Sequence, residues 1–497
     1  MAAAAAAAAT AGQTTTTAAA TTSSSRPSAW NDPDRRPLKI AFCHPDLGLG
    51  GAERLIVDAA QELATRGHRV DVYTAYYDPD RCFEETKRGD FRVVVRGGWF
   101  PRSFGGRAMA LCAYVRCLLM AWSVCLMCVV SKLWPKRRVD ATCAADGHSG
   151  DSGDYDVVIV DQVSVTNVVF RLLCPRTKIL FYCHFPDLLL AKPASWMHRA
   201  YRAPLDALEQ ASTGMAHRVL VNSEFTKGVF RDTFTALDAR GIVPDVLYPA
   251  VVIPTEGELA GMQTRWRSLL PEEVGRLMAS GPTFLSINRY ERKKNIGLAI
   301  RALALLEDET TGLVVAGGYD VRLAENVEHL DELKGIVEEL GLGDRIVFMT
   351  SFSDEQRLAL LCGCCAVAYT PENEHFGIVP VETMAAATPV IACNSGGPME
   401  SVIDGVTGCL VEPEPAAFAD AMGRVLRGEL GSARGARNGG CAAARQRATQ
   451  RFSRGAFGDS LEDIVMRLVI ASGRKTAGGG RRGQKGRGKV NQGHRRR

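Results

Sequence analysis

Apolar and polar positions alternate in blocks along most of the chain. Short apolar runs, typical of buried parallel strands, are separated by longer stretches with helical periodicity. In the first half these runs lie at residues 38–43, 69–74, 157–160, 178–182 and 218–222. In the second half they lie at 283–289, 313–318, 345–348, 366–369 and 390–392. The pattern predicts an α/β protein with two parallel sheets.

The apolar pattern breaks near residues 246–250, where a connection containing Pro, Gly and Glu follows. A chain of 497 residues is also too long for a single core. We therefore predict at least two domains, with a boundary near these residues. The predicted segments are 1–37 (a disordered tail), 38–249, 250–455, 456–472 (the final helix) and 473–497 (a basic tail).

Several chemically distinctive side chains follow the predicted strands directly. In open α/β sheets this carboxyl edge is where ligands bind. His184 follows one strand of the first half, where it can hydrogen-bond a sugar hydroxyl, although a lone His is more often structural. In the second half Arg289 and Lys294 lie where the chain leaves a strand, so both cations can converge on a diphosphate from one side. Gly317-Gly318 leaves the same predicted edge, which weakens the alternative of a solvated charge run.

A loop and helix after the strand at 366–369 carry two acids eight positions apart. Glu374 lies in the loop, and Glu382 lies about two turns into the helix. Phe376-Gly377-Ile378 forms the helix entrance, where unpaired backbone N–H groups suit a phosphate. The two carboxylates are predicted to hold different parts of one elongated ligand. The alternative is a first-turn acid favoured by the helix dipole together with a solvated Glu.

Two further loops are candidate anion contacts. Gly50-Gly51 links a strand to an amphipathic helix, which brings backbone close to an anion, although a tight turn explains the glycines equally well. Asn222-Ser223 ends another strand and begins a helix with capping residues.

Residues 108–130 are largely apolar and contain one charge, Arg116. The length is sufficient to span a bilayer, but a central Arg is costly there. Basic residues flank both ends, so no orientation follows. We expect a helix lying in one leaflet rather than a span, with a buried core helix as the alternative.

Composition adds little beyond the tails. The net charge of +5 comes from residues 473–497, which hold ten Lys or Arg and no acid; such a tail suits anionic lipid or RNA, or is simply solvated. The fifteen cysteines show no metal-ligand spacing and predict free thiols in a reducing compartment. Segment 1–37 lacks the features of a secretory signal, and 139–155 is a predicted surface insert.

Taken together, these motifs resemble those of the family-4 retaining glycosyltransferases, over about residues 38–470. The strings HPDLGLGGAERL, SINRYERKKN and NEHFGIVPVE are similar to those of eukaryotic dolichol-pathway mannosyltransferases. The resemblance implies a GT-B fold: two facing Rossmann-like domains, with 38–249 binding acceptor, 250–455 binding GDP-mannose, and a membrane-associated helix at 108–130. It also implies that the final helix, 456–472, crosses back to pack on the first domain. It further implies α1,3- and then α1,6-mannosyl transfer onto Man1GlcNAc2-diphosphodolichol at the cytosolic face of the endoplasmic reticulum.

The resemblance also implies residue roles. Arg289 and Lys294 would neutralise the leaving diphosphate, and Glu382 would bind the ribose. Glu374, the backbone of 376–378 and His184 would hold the mannose, while Gly50-Gly51 would admit the diphosphate. No metal or other cofactor is expected. A complex with neighbouring dolichol-pathway mannosyltransferases is a possible assembly, and no nucleic-acid partner is expected.

Two alternatives remain at this point. A glycosidase that uses both Glu residues is disfavoured, because an Arg-Lys diphosphate grip would then have no purpose. A catalytically silent sugar-nucleotide or lipid-binding subunit requires an assay to exclude it.

Overall fold

The structure, a computed structural model, describes residues 36–104, 108–133, 154–190, 196–429 and 442–478. Most of the predicted N-terminal tail, of the insert at 139–155 and of the basic tail lies outside these residues. The two-sheet α/β prediction is confirmed, and the architecture is the GT-B fold. The exact domain limits stay a prediction.

The first half forms a seven-stranded parallel sheet. Its strands are β1 (Lys39–Leu47), β2 (Arg69–Tyr77), β3 (Arg92–Val95), β4 (Val157–Asp161), β5 (Lys178–Cys183), β6 (Arg218–Val221) and β7 (Asp245–Val246). Its helices are α1 (Gly51–Thr65), α2 (Met109–Leu133), α3 (Thr166–Leu173), α4 (Asp187–Leu190), α5 (Trp196–Thr213), α6 (Glu224–Thr233) and α7 (Thr235–Asp238).

The second half forms a six-stranded parallel sheet. Its strands are β8 (Thr283–Ile287), β9 (Gly312–Gly317), β10 (Ile346–Thr350), β11 (Ala366–Tyr369), β12 (Val390–Cys393) and β13 (Cys409–Val411). Its helices are α8 (Glu256–Leu269), α9 (Glu272–Ser280), α10 (Ile296–Ala304), α11 (Ala324–Glu339), α12 (Asp354–Gly363), α13 (Ile378–Ala385), α14 (Pro398–Ser401) and α15 (Pro415–Leu426). Two helices follow, α16 (Ala442–Phe452) and α17 (Arg454–Gly478).

Strand order fixes where ligands can bind. The orders are β3-β2-β1-β4-β5-β6-β7 and β10-β9-β8-β11-β12-β13. In each sheet the order reverses beside the first strand, between β1 and β4 and between β8 and β11. Such a switch point opens a crevice at the carboxyl ends of the strands. The loops carrying His184 and Glu374 leave the sheets next to these two crevices.

The central strands are largely apolar because helices cover both faces of each sheet. Every residue of β4, β8, β9, β11 and β12 is buried, as expected for doubly covered parallel strands. Ten predicted strands are present, and their limits differ by a few residues at most. The sequence pattern missed β3, β7 and β13, which have four residues or fewer and lie at or near sheet edges.

The final helix returns to the first half. Within α17, Asp459 accepts a hydrogen bond of 2.9 Å from Arg66 at the end of α1. Glu462 lies 3.3 Å from the buried His68 side chain. The helix extends from Arg454 to Gly478, so it continues past the predicted end at residue 472. Helix α17 is thereby attached to the end of α1 and to the residue before β2.

Helix α2 belongs to the core of the first half on one of its faces. Met120, Val124 and Cys128 on that face are buried against the sheet. Arg116, whose position argued against a membrane span, is buried too, where it donates to the Ala75 carbonyl at 3.0 Å and pairs with Asp46 at 3.0 Å. The charge is thus satisfied by protein rather than lipid, as a buried charge requires.

The opposite face of α2 is apolar and, within the part of the chain that the structure describes, uncovered. Large exposed side chains recur there at helical spacing, at Leu111, Trp122, Leu126, Val129 and Val130. Among the described residues, one helix is long and apolar enough to cross a membrane, and it is this one, with 44% of its apolar window buried in the protein. A core helix with an uncovered apolar face fits the packing better than a span.

Candidate functional site

The predicted ligand contacts of the second half meet in one cavity of about 280 Å³ at the carboxyl ends of β8, β9 and β11. The charged groups predicted from the sequence that line it are Arg289, Lys294, Glu374 and Glu382. The predicted backbone contacts that line it are Gly317, Gly318, Gly377 and Ile378. Charges placed up to 93 positions apart in the sequence therefore face one space, which is the arrangement a charged, elongated ligand requires.

Lys294 and Glu374 form an ion pair inside this cavity. Their side chains are 12% and 23% exposed. Burial alone would raise the pKa of Glu374, but the Lys294 ammonium overrides it and holds that pKa below its usual value. The Thr370 hydroxyl donates to the Lys294 carbonyl at 2.8 Å. The lysine is therefore anchored to the β11 loop through both backbone and side chain.

Arg289 reaches the cavity through a tight contact between two loops. A Cβ on Gly317 would lie 1.7 Å from the Asn288 carbonyl oxygen, so the end of β9 requires glycine there. This close approach positions the β8 loop and its next residue, Arg289. The Arg289 guanidinium is 61% exposed and pairs with Glu291 at 2.7 Å, which leaves it accessible to a ligand.

The entrance to α13 contributes backbone rather than side chain. Gly377 has a positive φ of 74°, a conformation that favours glycine. The Phe376 ring is 5% exposed and packs against Tyr248 and Phe452, and Phe376 does not line the cavity. Its side chain therefore anchors the turn, and only its backbone is available for the predicted ligand contact.

Glu382 is oriented by a residue that sequence reasoning missed. Its Oε1 accepts from Arg357 Nη1 at 2.9 Å. Burial raises the pKa of Glu382, and Arg357 opposes that shift. Arg357 lies on α12, whose start is capped by Ser353, and both Arg357 and the preceding Phe352 line the cavity. The sequence analysis singled out no motif in this stretch.

His184 lies directly after β5, as predicted, and does not line the cavity. Its Nε2 is 2.8 Å from Oδ1 of Asp161, which ends β4. The other oxygen of Asp161 is 2.7 Å from Nδ1 of His44. Sequence reasoning missed both partners, although each ends or lies near the end of a strand beside the switch point.

Gly50 and Gly51 begin α1 next to this group. A Cβ on Gly50 would lie 2.2 Å from a Glu53 carboxylate oxygen, whereas one on Gly51 would meet nothing within 4 Å. Gly51 also does not need a positive φ. Because nothing in the fold requires glycine at 51, close approach of a ligand remains the predicted reason for it.

The loops that carry His184 and Glu374 touch each other. Phe185, next to His184, stacks on His375, next to Glu374, with ring centroids 3.7 Å apart and an interplanar angle of 8°. Burial lowers the pKa of His375. The two predicted groups of ligand contacts are thus joined across the halves.

The predicted anion contact at Asn222 and Ser223 holds one of the chain's own carboxylates. Glu400 accepts hydrogen bonds from the backbone N–H of Glu224 at 2.8 Å and of Phe225 at 3.1 Å, at the start of α6. Ser223 donates to the His375 carbonyl, and Asn222 donates to the His184 carbonyl at 3.2 Å. The contacts of Glu400 and Ser223 join the two halves, whereas that of Asn222 lies within the first half. Ligand binding by Asn222 and Ser223 stays a prediction.

Replacing Glu400 by Gln is expected to weaken this link between the halves. The amide keeps one oxygen acceptor but loses the charge that favours a helix N-terminus, a loss of about 1 kcal/mol. We expect a small fall in Tm and faster proteolytic cleavage between the halves. Glu339→Gln on exposed α11 is the matched control, and an equal response of both variants would contradict the assignment.

Two family models cover most of both halves. The glycosyl transferase 4-like domain matches residues 50–244, and glycosyl transferases group 1 matches residues 274–440. The human alpha-1,3/1,6-mannosyltransferase ALG2 is 45% identical over 443 residues, which are 87% of this chain and 96% of that protein. The chain belongs to the ALG2 alpha-1,3/1,6-mannosyltransferase family. The Saccharomyces cerevisiae ALG2 is 37% identical over 466 residues, 86% of this chain and 85% of that protein.

Solved structures agree on the fold of this ALG2 family member. Sucrose-phosphate synthase from Thermosynechococcus elongatus matches with a TM-score of 0.61 at 22% identity, over 88% of this chain and 100% of that one. The catalytic domain of starch synthase IV from Arabidopsis thaliana matches with a TM-score of 0.63 at 12% identity, over the same shares. At these identities the likeness concerns the fold alone. The predicted family and the mannosyltransferase activity are confirmed by the sequence relatives.

Proposed function

We propose that this mannosyltransferase moves mannose from GDP-mannose, with retention, onto Man1GlcNAc2-diphosphodolichol, forming an α1,3 and then an α1,6 linkage. The observation that carries the donor assignment is the cavity in which Arg289 and Lys294 face Glu374 and Glu382. Two cations suit a diphosphate, and two carboxylates suit hydroxyls on either side of it. The relatives' alpha-1,3/1,6 names support the linkages.

In this proposal each group has one task. Arg289 and Lys294 stabilise the charge that develops on the leaving diphosphate. Glu382, held by Arg357, accepts from the ribose hydroxyls, while Glu374 and the α13 entrance hold the mannose. His184 contacts the mannose near its 6-hydroxyl. The leaving diphosphate takes the acceptor proton on the same face, so retention needs no protein nucleophile.

The acceptor is proposed to approach from the membrane. The uncovered apolar face of α2 would lie in the cytosolic leaflet of the endoplasmic reticulum, as an amphipathic helix does. Exposed Leu189 and Leu190 on α4, close in sequence to His184, would keep the cleft mouth near the polyprenol. Assembly with neighbouring dolichol-pathway mannosyltransferases is part of the same proposal.

The decisive experiment is incubation of purified protein with GDP-mannose and a short-chain Man1GlcNAc2-diphosphate lipid, followed by linkage analysis. Products with one and then two added α-mannoses are expected. Failure to transfer mannose would favour the catalytically silent alternative, and release of free mannose alone would favour a glycosidase.

The proposal assigns the electrostatic role of a metal to Arg289 and Lys294. Transfer is therefore expected to change less than about twofold after removal of divalent ions with EDTA, because fixed cations already neutralise the diphosphate. The assay is the same lipid-linked transfer with and without chelator. A loss that added Mg²⁺ or Mn²⁺ reverses would contradict this part of the proposal.

A further inference from the structure

Two buried side chains and a partly exposed one form a line at the carboxyl ends of neighbouring strands. Asp161 on β4 lies in the middle. It is hydrogen-bonded to His44 on β1 at 2.7 Å and to His184 after β5 at 2.8 Å. The Asp161 and His44 side chains are 0% and 1% exposed, and His184 is 24% exposed. The line therefore runs from the interior to the cleft and ends at His184.

The proton positions along this line follow from charge. Burial alone would lower the pKa of His44, but the hydrogen bond to Asp161, with Glu53 beside it, raises that pKa to about 9. Burial would raise the pKa of Asp161, and the two histidines hold it below its usual value. These directions favour a deprotonated Asp161, which can only accept, and a protonated His44, which can only donate. A buried carboxylate next to a buried cation is compensated.

His44 has a second carboxylate near its other ring nitrogen. Glu53 Oε1 lies 3.8 Å from His44 Nε2, too far for a direct hydrogen bond. That buried nitrogen has no hydrogen-bond partner among the described residues. Glu53 belongs to the first turn of α1, beside Gly50. Carboxylates near both ring nitrogens therefore stabilise a positive charge on His44.

This line determines which nitrogen of His184 carries a proton. Because Asp161 accepts from Nε2, that nitrogen holds a hydrogen, and in a neutral imidazole Nδ1 is then an acceptor. The ring is also held by Tyr182, whose centroid lies 4.8 Å away. Asn222 anchors the His184 backbone carbonyl at 3.2 Å. Both the orientation and the tautomer of His184 are thus set in advance.

We propose that Asp161 and His44 are positioning residues that act through His184, keeping its Nδ1 as a fixed acceptor for a hydroxyl of the transferred mannose. This inference rests on the proposed function, which places His184 against that sugar. A fixed acceptor avoids the cost of reorienting a ring during transfer. Neither residue touches the substrate itself.

A second buried histidine–carboxylate pair in the same sheet layer provides a matched control. His68 Nε2 lies 3.3 Å from Glu462, and His68 Nδ1 accepts from the Leu38 N–H at 3.2 Å. His68 precedes β2, at the amino edge of the sheet, opposite the ligand-binding edge. Its loss should therefore affect stability without a specific effect on transfer.

The test is a double-mutant cycle on turnover with the full-length protein. Asp161→Asn and His184→Ala are each expected to lower kcat about 10- to 100-fold, with a smaller change in the KM for GDP-mannose. If Asp161 acts through His184, the double variant turns over like His184→Ala alone. His68→Gln is expected to change kcat by the same small factor in both backgrounds. If Asp161→Asn lowered kcat by the same factor in the wild-type and the His184→Ala backgrounds, the proposal would be overturned.

His44→Gln guards against an Asp161 variant that does not fold. The amide still donates to Asp161 but removes the buried positive charge, so a several-fold loss of kcat is expected, which disappears in the His184→Ala background. A loss that persists there would also overturn the proposal. The two possible failures can be told apart. An inactive wild-type protein would contradict the proposed function. An active wild-type protein in which the Asp161 and His44 substitutions act independently of His184 would contradict only this inference.

Discussion

Lys294→Ala is expected to abolish measurable mannose transfer while leaving the protein folded. The ammonium lies in the cavity as the partner of Glu374 and is the least exposed of the cations predicted to meet the diphosphate. Removing a group that stabilises developing charge costs on the order of 10²- to 10³-fold in kcat. Glu374→Ala should have a loss of similar size, because the donor sugar then loses its carboxylate contact. Lipid-linked transfer measures both losses, and circular dichroism reports folding.

Lys293→Ala provides the matched control for this site. Its neighbouring ammonium is 68% exposed and pairs with Glu291 at 3.2 Å, and Lys293 does not line the cavity. The two lysines are adjacent in the sequence, so either variant removes one positive charge from the same loop. Only Lys294 lines the cavity. Near-normal turnover is expected for Lys293→Ala. A Lys294→Ala protein that kept more than a tenth of normal turnover would remove the site assignment.

The sequence predicted that the charged groups of this cavity lie close together, because they belong to short local motifs. Glu374 and Glu382 are eight positions apart, and Arg289 and Lys294 are five apart, so each pair is visible in one window. A parallel sheet then brings the strand ends together at one edge. Periodicity and strand ends were therefore enough to place these groups around a common space.

Contacts between distant segments were not predictable in the same way. Asp161 lies 117 positions from His44 and 23 from His184, and only the strand order β1-β4-β5 makes them neighbours. Glu400 reaches the start of α6 across 176 positions, where the sequence predicted a ligand anion. Capping residues reveal an anion-binding helix end, but not whether protein or ligand fills it.

Helix α2 shows a further limit of sequence patterns. Its apolar residues surround the helix, so periodicity cannot tell the core face from the uncovered one. The charge of Arg116 argued against a lipid environment. In the structure its guanidinium contacts the Ala75 carbonyl and Asp46 instead. The choice between span, leaflet attachment and core helix required the packing of the first sheet.

That packing leads to the second large expected effect. The double substitution Trp122→Glu and Leu126→Glu is expected to release the protein from membranes. Both side chains are more than half exposed on the uncovered face. Each charge would oppose insertion by roughly 2 kcal/mol or more if the face enters the apolar layer. Since neither side chain is in the core, Tm should change little. Flotation with vesicles of endoplasmic-reticulum composition measures the release.

A control for added charge is available in the second half. Val321 is 74% exposed and lies in the loop after β9, so Val321→Glu adds an acid without touching α2. It is expected to bind vesicles to the same extent as the wild type. Val124→Glu, on the buried face of α2, should instead unfold the first half, because Val124 packs in a cluster of apolar side chains and a charge buried among them is costly. Unchanged flotation of the Trp122/Leu126 variant would show that another surface carries the attachment, and α2 would then be a core helix only.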